Sequence, residues 1–276
     1  MDVHWRQPIE TKDTPAGKQW GRGNAYEPYV GRWSRLVAAR FIDWLAPTPD
    51  RRWLDIGCGT GALTQTILGA ALPTLVRGVD PSEGFIGFAR DRLSDPRVTF
   101  EVANAHQLPD HDASYDYTVS GLVLNFVPNT SAALDEMRRV TRVGGLVAAY
   151  VWDYADGMEL MRYFWDAATE LDRGAATLDE GIRFPICKPE PLRNLWEDAS
   201  IHDVAVVPID IETLFRDFDD YWSPFLGGQG PAPSYTMSLD EPARDELKSL
   251  LRRQLPTKKD GSIQLRARAW GVQGRI

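Results

Sequence analysis

The chain has 276 residues, 43% apolar and 25% charged, with a formal net charge of −8 at pH 7. That length bounds one large α/β domain or a domain with a sizeable insertion. The acidic balance argues against a nucleic-acid partner, which would want a basic face. Two cysteines, Cys58 and Cys187, offer no disulfide framework and point to a reduced, cytoplasmic setting.

Residues 1–23 read as a flexible N-terminus, polar, with Pro8 and Pro15 and no apolar core of a signal peptide. No apolar run approaches the ~18 residues of a spanning helix, so no stable membrane insertion is expected. Residues 24–276 read as a single domain. Ser34 is placed to cap a helix running through Leu45, with Val37, Phe41 and Leu45 in register. A strand, Trp53–Ile56, enters a glycine-rich turn and then a helix carrying Leu63, Ile67 and Leu68. A second strand, Leu75–Val79, ends at Asp80. Ser82 caps the next helix, whose buried stripe is Phe85, Ala89 and Leu93.

Strand three is Val98–Val102. Strand four, Tyr117–Leu122, is the nearly continuous apolar run of a strand buried on both faces. Asn129 caps a helix with Leu134, Met137 and Val140, which the Gly144-Gly145 pair is expected to end; strand five is Leu146–Val151. Helices follow over Met158–Leu171 and Glu190–Ala199. Val204–Phe215 reads as a strand that Pro208 confines to an edge or a bulge. After Asp217–Leu226 and a Gly/Pro hinge at Gly227–Pro233 come a helix, Glu241–Gln254, and a last alternating strand, Ser262–Trp270. Strands alternating with helices at this spacing make a doubly wound parallel sheet.

The turn Gly57-Cys58-Gly59-Thr60-Gly61 stands between the first strand and its helix. Alternate glycines let the backbone take positive φ and let a ligand lie on bare peptide at a helix N-terminus. Asp80, roughly 20 residues beyond such a turn, is placed to hold vicinal ribose hydroxyls. The turn fits both G-x-G-x-x-A and G-x-G-x-G, so a dinucleotide is one candidate. Asp55 tips the balance, because a carboxylate beside a pyrophosphate is repelled. A ligand that brings a cation there, such as S-adenosylmethionine (SAM), reverses the sign. An acid that only braces the glycine turn is the plainer alternative.

Asp55-Ile56-Gly57-Cys58-Gly59-Thr60-Gly61 resembles the first signature of class I SAM-dependent methyltransferases. Val79-Asp80-Pro81-Ser82 resembles the second, and Val102 to Pro109 the third, which wraps the adenine. Asn104 departs from the carboxylate many members carry there, but an amide still hydrogen-bonds an adenine edge. The resemblance covers residues 24–153 and is nearest the ubiquinone/menaquinone biosynthesis branch. It implies a Rossmann-like seven-stranded sheet, mostly parallel with an antiparallel last strand. It also implies an N-terminal helix over the cofactor and a substrate cap at about 215–257, between the last two strands. The implied cofactor is SAM, its product S-adenosylhomocysteine (SAH), with no metal.

Cofactor-binding residues expected on this basis are Tyr26, Arg32, Asp55, Gly57, Cys58, Gly59, Asp80, Pro81, Ser82, Asn104, Ala105, Ser120 and Leu122. Arg32 suits a methionine carboxylate; a solvated Arg32 is its alternative. Cys58 reads as a small turn residue, not a nucleophile. Asn125, Trp152, Tyr154, Arg183, Tyr221 and Trp222 are the expected substrate contacts, though an aromatic segment such as Phe215–Phe225 is most often plain core packing. His106 and Asp153 are candidate bases, needed only if the nucleophile must lose a proton. The expected activity is methyl transfer to an O, N or C nucleophile of a small, partly apolar molecule. Two alternatives stand beside it: a catalytically silent SAM/SAH-binding interaction protein and an NAD-binding oxidoreductase, although no Tyr-x-x-x-Lys pair is present.

Overall fold

A computed structural model describes residues 31–227 and 230–276. In chain order the main elements are α1 (Arg32–Leu45), β1 (Arg52–Ile56), α2 (Ala62–Ala70), β2 (Leu75–Asp80), α3 (Glu83–Arg92), β3 (Val98–Val102) and β4 (Tyr115–Gly121). Then follow α4 (Thr130–Val140), β5 (Thr141–Trp152), α5 (Glu159–Leu171), α6 (Glu180–Arg183), α7 (Pro189–Asp198) and β6 (His202–Phe215). Helices α8 (Phe218–Trp222), α9 (Pro231–Ser238) and α10 (Glu241–Gln254) lead to β7 (Ile263–Arg275).

The seven strands form one sheet in the order β3-β2-β1-β4-β5-β7-β6. Pairing is parallel from β3 through β5, and β7 runs antiparallel to both β5 and β6. The order reverses at β1, between β2 and β4, so their carboxyl ends flank a crevice, the usual ligand position in such sheets. β5 is buried without interruption from Leu146 to Trp152, the signature of a strand covered on both faces. Pro208 sits in β6 at the sheet edge, where a missing N–H costs no ladder bond.

Several local expectations change. Ser34 does not cap α1: the helix begins two residues earlier and the Ser34 hydroxyl donates to the Gly31 carbonyl at 2.6 Å. Helix α3 buries Ala89 as expected, but with Ile86 in place of Phe85, and Leu93 is its C-cap. Asn129 caps α4, accepting from the Ala132 amide at 3.0 Å, but α4 ends at Val140 and Gly144-Gly145 lie inside β5. The hinge expected at Gly227–Pro233 contains the start of a helix, with Pro231 in the first turn of α9, where its missing N–H is harmless.

β7 extends five residues past Trp270, through Gly271 and Gly274. These glycines permit close packing. A Cβ at Gly271 would meet Ile209 Cδ1 at 2.8 Å, and one at Gly274 would meet Ile201 Cγ2 at 2.5 Å.

The segment between β6 and β7 packs on α5. The Phe225 ring stacks on Phe164 at 4.5 Å, Tyr235 meets Phe164 edge-on, and the buried Tyr221 hydroxyl donates to the Leu160 carbonyl at 3.0 Å. The aromatic run Phe218–Phe225 is therefore core, as burial of such large rings favours.

Candidate functional site

The carboxyl ends of β1, β2, β4 and β5 enclose a cavity of about 450 Å3, within the range of small-molecule sites. Its floor is the glycine turn. Gly57, Gly59 and Gly61 have φ of +70°, +52° and +86°, a region closed to most side chains. At Gly57 a Cβ would also strike Val123 Cγ1 at 2.4 Å. The Gly57 and Cys58 amides both donate to the Val79 carbonyl, at 2.8 and 3.0 Å. The turn is thereby fastened to β2 before any ligand arrives.

Asp80, at the tip of β2, accepts the Gly59 amide on Oδ2 at 3.1 Å and the Ser82 amide on Oδ1 at 2.9 Å. Each carboxylate oxygen keeps further acceptor capacity. Burial raises its proton affinity, and the two amides oppose that. Asp55 is fully buried at the end of β1. Its Oδ2 accepts the Thr64 hydroxyl at 2.6 Å, while its buried Oδ1 has no hydrogen-bond partner. Burial, reinforced by the charge of Asp80 and opposed by Thr64, pushes the Asp55 carboxyl up to about 7. Both carboxylates line the cavity.

The rest of the wall divides in two. Pro81, Ser82, Phe85, Ala103, Asn104, Ala105 and His106 gather beyond β2. Toward β4 and β5 stand Leu122, Val123, Phe126, Tyr150, Trp152 and Tyr154. Phe184 backs this aromatic wall, 5.2 Å from the Phe126 ring and 5.9 Å from Tyr154.

Most of the expected cofactor residues meet here: Asp55, Gly57, Cys58, Gly59, Asp80, Pro81, Ser82, Asn104, Ala105 and Leu122 all line the cavity. Ser120 does not. Its hydroxyl donates to the Ile56 carbonyl at 2.9 Å and ties β4 to β1. Arg32 does not either: it pairs with Asp220 of α8 at 3.0 Å and lies against the Trp33 and Phe215 rings. Tyr26 lies outside the described residues. Burial makes Cys58 a poorer thiolate, in keeping with a turn residue.

On the substrate side Trp152 and Tyr154 line the cavity. Tyr221 hydrogen-bonds to Leu160 of α5, Trp222 packs on the Phe218 and Phe225 rings, and the exposed Arg183 sits over Phe184; none of the three lines the cavity. Asn125 is beside the wall but not in it. No described residue of 215–257 lines the cavity, so the expected substrate cap is not formed there by the described residues. Of the two candidate bases, His106 lines the cavity. Asp153 is buried outside it, accepting the Asp156 amide at 3.2 Å.

Tyr150 and Thr64 were missed in the sequence. Tyr150 stands two residues before Trp152 on the same strand face, the period-2 signal that could have found it. Thr64 carries no sequence signal beyond lying in the first turn of α2. Among the described residues, no cluster of three or more His, Cys, Asp or Glu side chains is placed to hold a metal, and no helix is long and apolar enough to cross a membrane.

The strand order is that of the class I methyltransferase fold. Residues 54–149 match the model of a methyltransferase domain. The chain is 30% identical over 186 residues to an uncharacterised 37.1 kDa transposon protein of Streptomyces fradiae, covering 62% of this chain and 54% of that one. It is 38% identical over 96 residues to the demethylmenaquinone methyltransferase of Staphylococcus aureus, covering 34% and 40% of the two chains. Among solved structures, the phosphoethanolamine N-methyltransferase 2 of Haemonchus contortus, in complex with phosphomonomethylethanolamine and SAH, superposes with a TM-score of 0.57 at 17% identity. That match covers 91% of this chain and 56% of the other. The chain spans about half the length, or less, of these curated relatives. Residues 54–149 thus match a methyltransferase domain, and the chain has the fold of class I SAM-dependent methyltransferases.

Proposed function

We propose that the protein transfers the methyl group of SAM to an oxygen, nitrogen or carbon nucleophile of a small, partly apolar molecule. The observation that carries this is the Asp55 carboxylate: buried in the cavity wall, one oxygen unpartnered, with a second carboxylate, Asp80, on the same wall. Two carboxylates in one crevice suit a ligand with a cation at one position and a diol at another, and they repel a pyrophosphate. In this reading Asp80 takes the ribose hydroxyls, Asp55 the amino-acid ammonium, and Asn104 with Ala105 the adenine edge. The glycine turn supports the ligand through its bare backbone.

When bound, SAM supplies a methyl group already activated by its sulfonium. The protein then has to hold the acceptor in line and keep water away. Leu122, Val123, Phe126, Tyr150, Trp152 and Tyr154 form a largely apolar wall suited to both tasks. The apolar character of that wall supports a partly apolar acceptor. His106 lines the cavity on the Asn104–Ala105 side and is the candidate base for an acceptor that must lose a proton.

Calorimetric titration of SAH and NADH into wild type and Asp80→Ala tests the cofactor half. Binding of SAH alone, weakened tenfold or more by Asp80→Ala, is expected. That is the loss of a charge-assisted contact of ~1.5–3 kcal/mol. Binding of NADH alone would overturn the proposal. Release of SAH from SAM across a panel of small phenols, quinols and amines tests the transfer. SAH binding without turnover on any of them would favour a silent binding protein.

A further inference from the structure

Thr64 has a task that the glycine turn and Asp80 do not share. It is fully buried on the first turn of α2, and its hydroxyl donates to Asp55 Oδ2 at 2.6 Å. No described cation pairs with Asp55, and the carboxylate's other oxygen is buried and unpartnered. A charged carboxylate in such a place is costly unless donors compensate it. The ionisable groups around the cavity are Asp80 from β2, Cys58 from the turn, His106 from the loop after β3, Tyr150 from β5 and Tyr154 just beyond it. Asp80 and Cys58 offer Asp55 no positive charge, and His106 is exposed. The donor that compensates Asp55 is Thr64.

We propose that Thr64 is a positioning residue of the cofactor site. Its hydroxyl keeps the Asp55 carboxylate charged and turned so that the free Oδ1 meets the ammonium of the bound amino-acid moiety. The inference rests on the SAM-binding reading above. Burial raises the Asp55 proton affinity, and the Thr64 hydroxyl and backbone amide lower it, the hydroxyl more strongly. Near neutral pH the empty site therefore holds part of its population with Asp55 protonated. A cationic ligand selects the ionised form, and the proton leaves Asp55 Oδ1 or Oδ2 for solvent. Without the hydroxyl, a larger fraction is protonated at the same pH, and the ligand must drive more ionisation to bind.

The test is calorimetry of SAH binding to wild type, Thr64→Val and Thr64→Ser between about pH 6 and about pH 8.5, a span that brackets the Asp55 value of about 7. Valine matches the volume of threonine, and circular dichroism verifies that each variant is folded. In wild type, affinity should fall as pH drops below about 7 and level off above it. Binding at the acid end should release protons, read from the buffer dependence of the heat. Thr64→Val should weaken binding on the order of tenfold at about pH 7, with the gap narrowing toward the alkaline end. Thr64→Ser should restore wild-type behaviour.

A gap of equal size at every pH, no gap, or no rescue by serine would overturn the inference while leaving SAH binding intact. Proton release that is absent in wild type across the range would overturn it without any variant. Failure of wild type to bind SAH would overturn the SAM-binding reading itself, and this inference with it.

Discussion

Gly59 donates its amide to Asp80 Oδ2 at 3.1 Å, and Ser82 donates its own to Asp80 Oδ1 at 2.9 Å. One carboxylate thus joins the glycine turn after β1 to the cap of α3. An amide in its place has one acceptor for two donors, and its NH2 group meets an N–H head-on. Asp80→Asn should therefore lose roughly 1–3 kcal/mol of stability, the cost of a buried donor left unsatisfied. A lowered Tm together with weakened SAH binding is the expected result; an unchanged Tm would show that the turn holds without this bridge.

Glu180 is buried and accepts the Trp165 indole N–H at 2.5 Å. Burial pushes its carboxyl up to about 7. A folded-state value above the unfolded one means the fold prefers the protonated acid. The associated stability is complete below the unfolded value near 4.5 and is lost as pH rises through about 7. Glu180→Gln keeps an oxygen for Trp165 and removes the titration. Its Tm should exceed that of wild type at pH 8, by an amount on the order of 1–3 kcal/mol in stability. The two should draw together at acid pH. Parallel Tm-versus-pH curves would refute the assignment.

A Cβ on Gly274 would meet Ile201 Cγ2 at 2.5 Å and the His202 carbonyl oxygen at 2.9 Å, whereas one on Gly87, inside α3, meets nothing within 4 Å. Alanine at these positions should act in opposite directions. Gly274→Ala should cost about 1–3 kcal/mol through overpacking against backbone. Gly87→Ala should gain about 0.5–1 kcal/mol by stiffening the unfolded chain and favouring the helix. Urea denaturation of the two variants decides it, and the same sign for both would contradict the packing described.

Arg32 reaches across from α1 to Asp220 at 3.0 Å, between the Trp33 and Phe215 rings. Both side chains retain some solvent contact, so the pair is worth little more than a surface one. A double-mutant cycle with Arg32→Met and Asp220→Asn should give a coupling of roughly 0.5–1 kcal/mol. Neither variant should change SAH affinity, since Arg32 does not line the cavity. A tenfold loss of binding in Arg32→Met would place this arginine back in the cofactor site.

How much of this was legible in the sequence varies from residue to residue. The strand tips carrying Asp55 and Asp80 could be read because short apolar runs ended at polar residues beside glycines of fixed spacing. The β7 extension could not. Glycine fits at Gly271 and Gly274 because Ile209 and Ile201 leave no room there for a Cβ, a contact between distant residues that no local pattern announces. Arg32 offered the right chemistry for a ligand carboxylate, but Asp220, 188 positions away, supplies one within the chain. The Phe218–Phe225 aromatics had two readings that only packing could separate, and α5 settled it. Local chemistry travels well in a sequence; which distant partner claims a side chain does not.

The segment matching a methyltransferase domain ends at Ala149, and the next residue on β5, Tyr150, begins the run Tyr150, Trp152 and Tyr154 that faces the cavity. A single strand therefore carries a seam. Up to that seam lies the segment that matches the domain model, and just past it stand three aromatic side chains of the cavity wall. Replacing those three side chains would retool the chamber while leaving the glycine turn, Asp55 and Asp80 where they stand. Variation among close relatives should then concentrate just past the seam, as in a tool with a common handle and an exchangeable head.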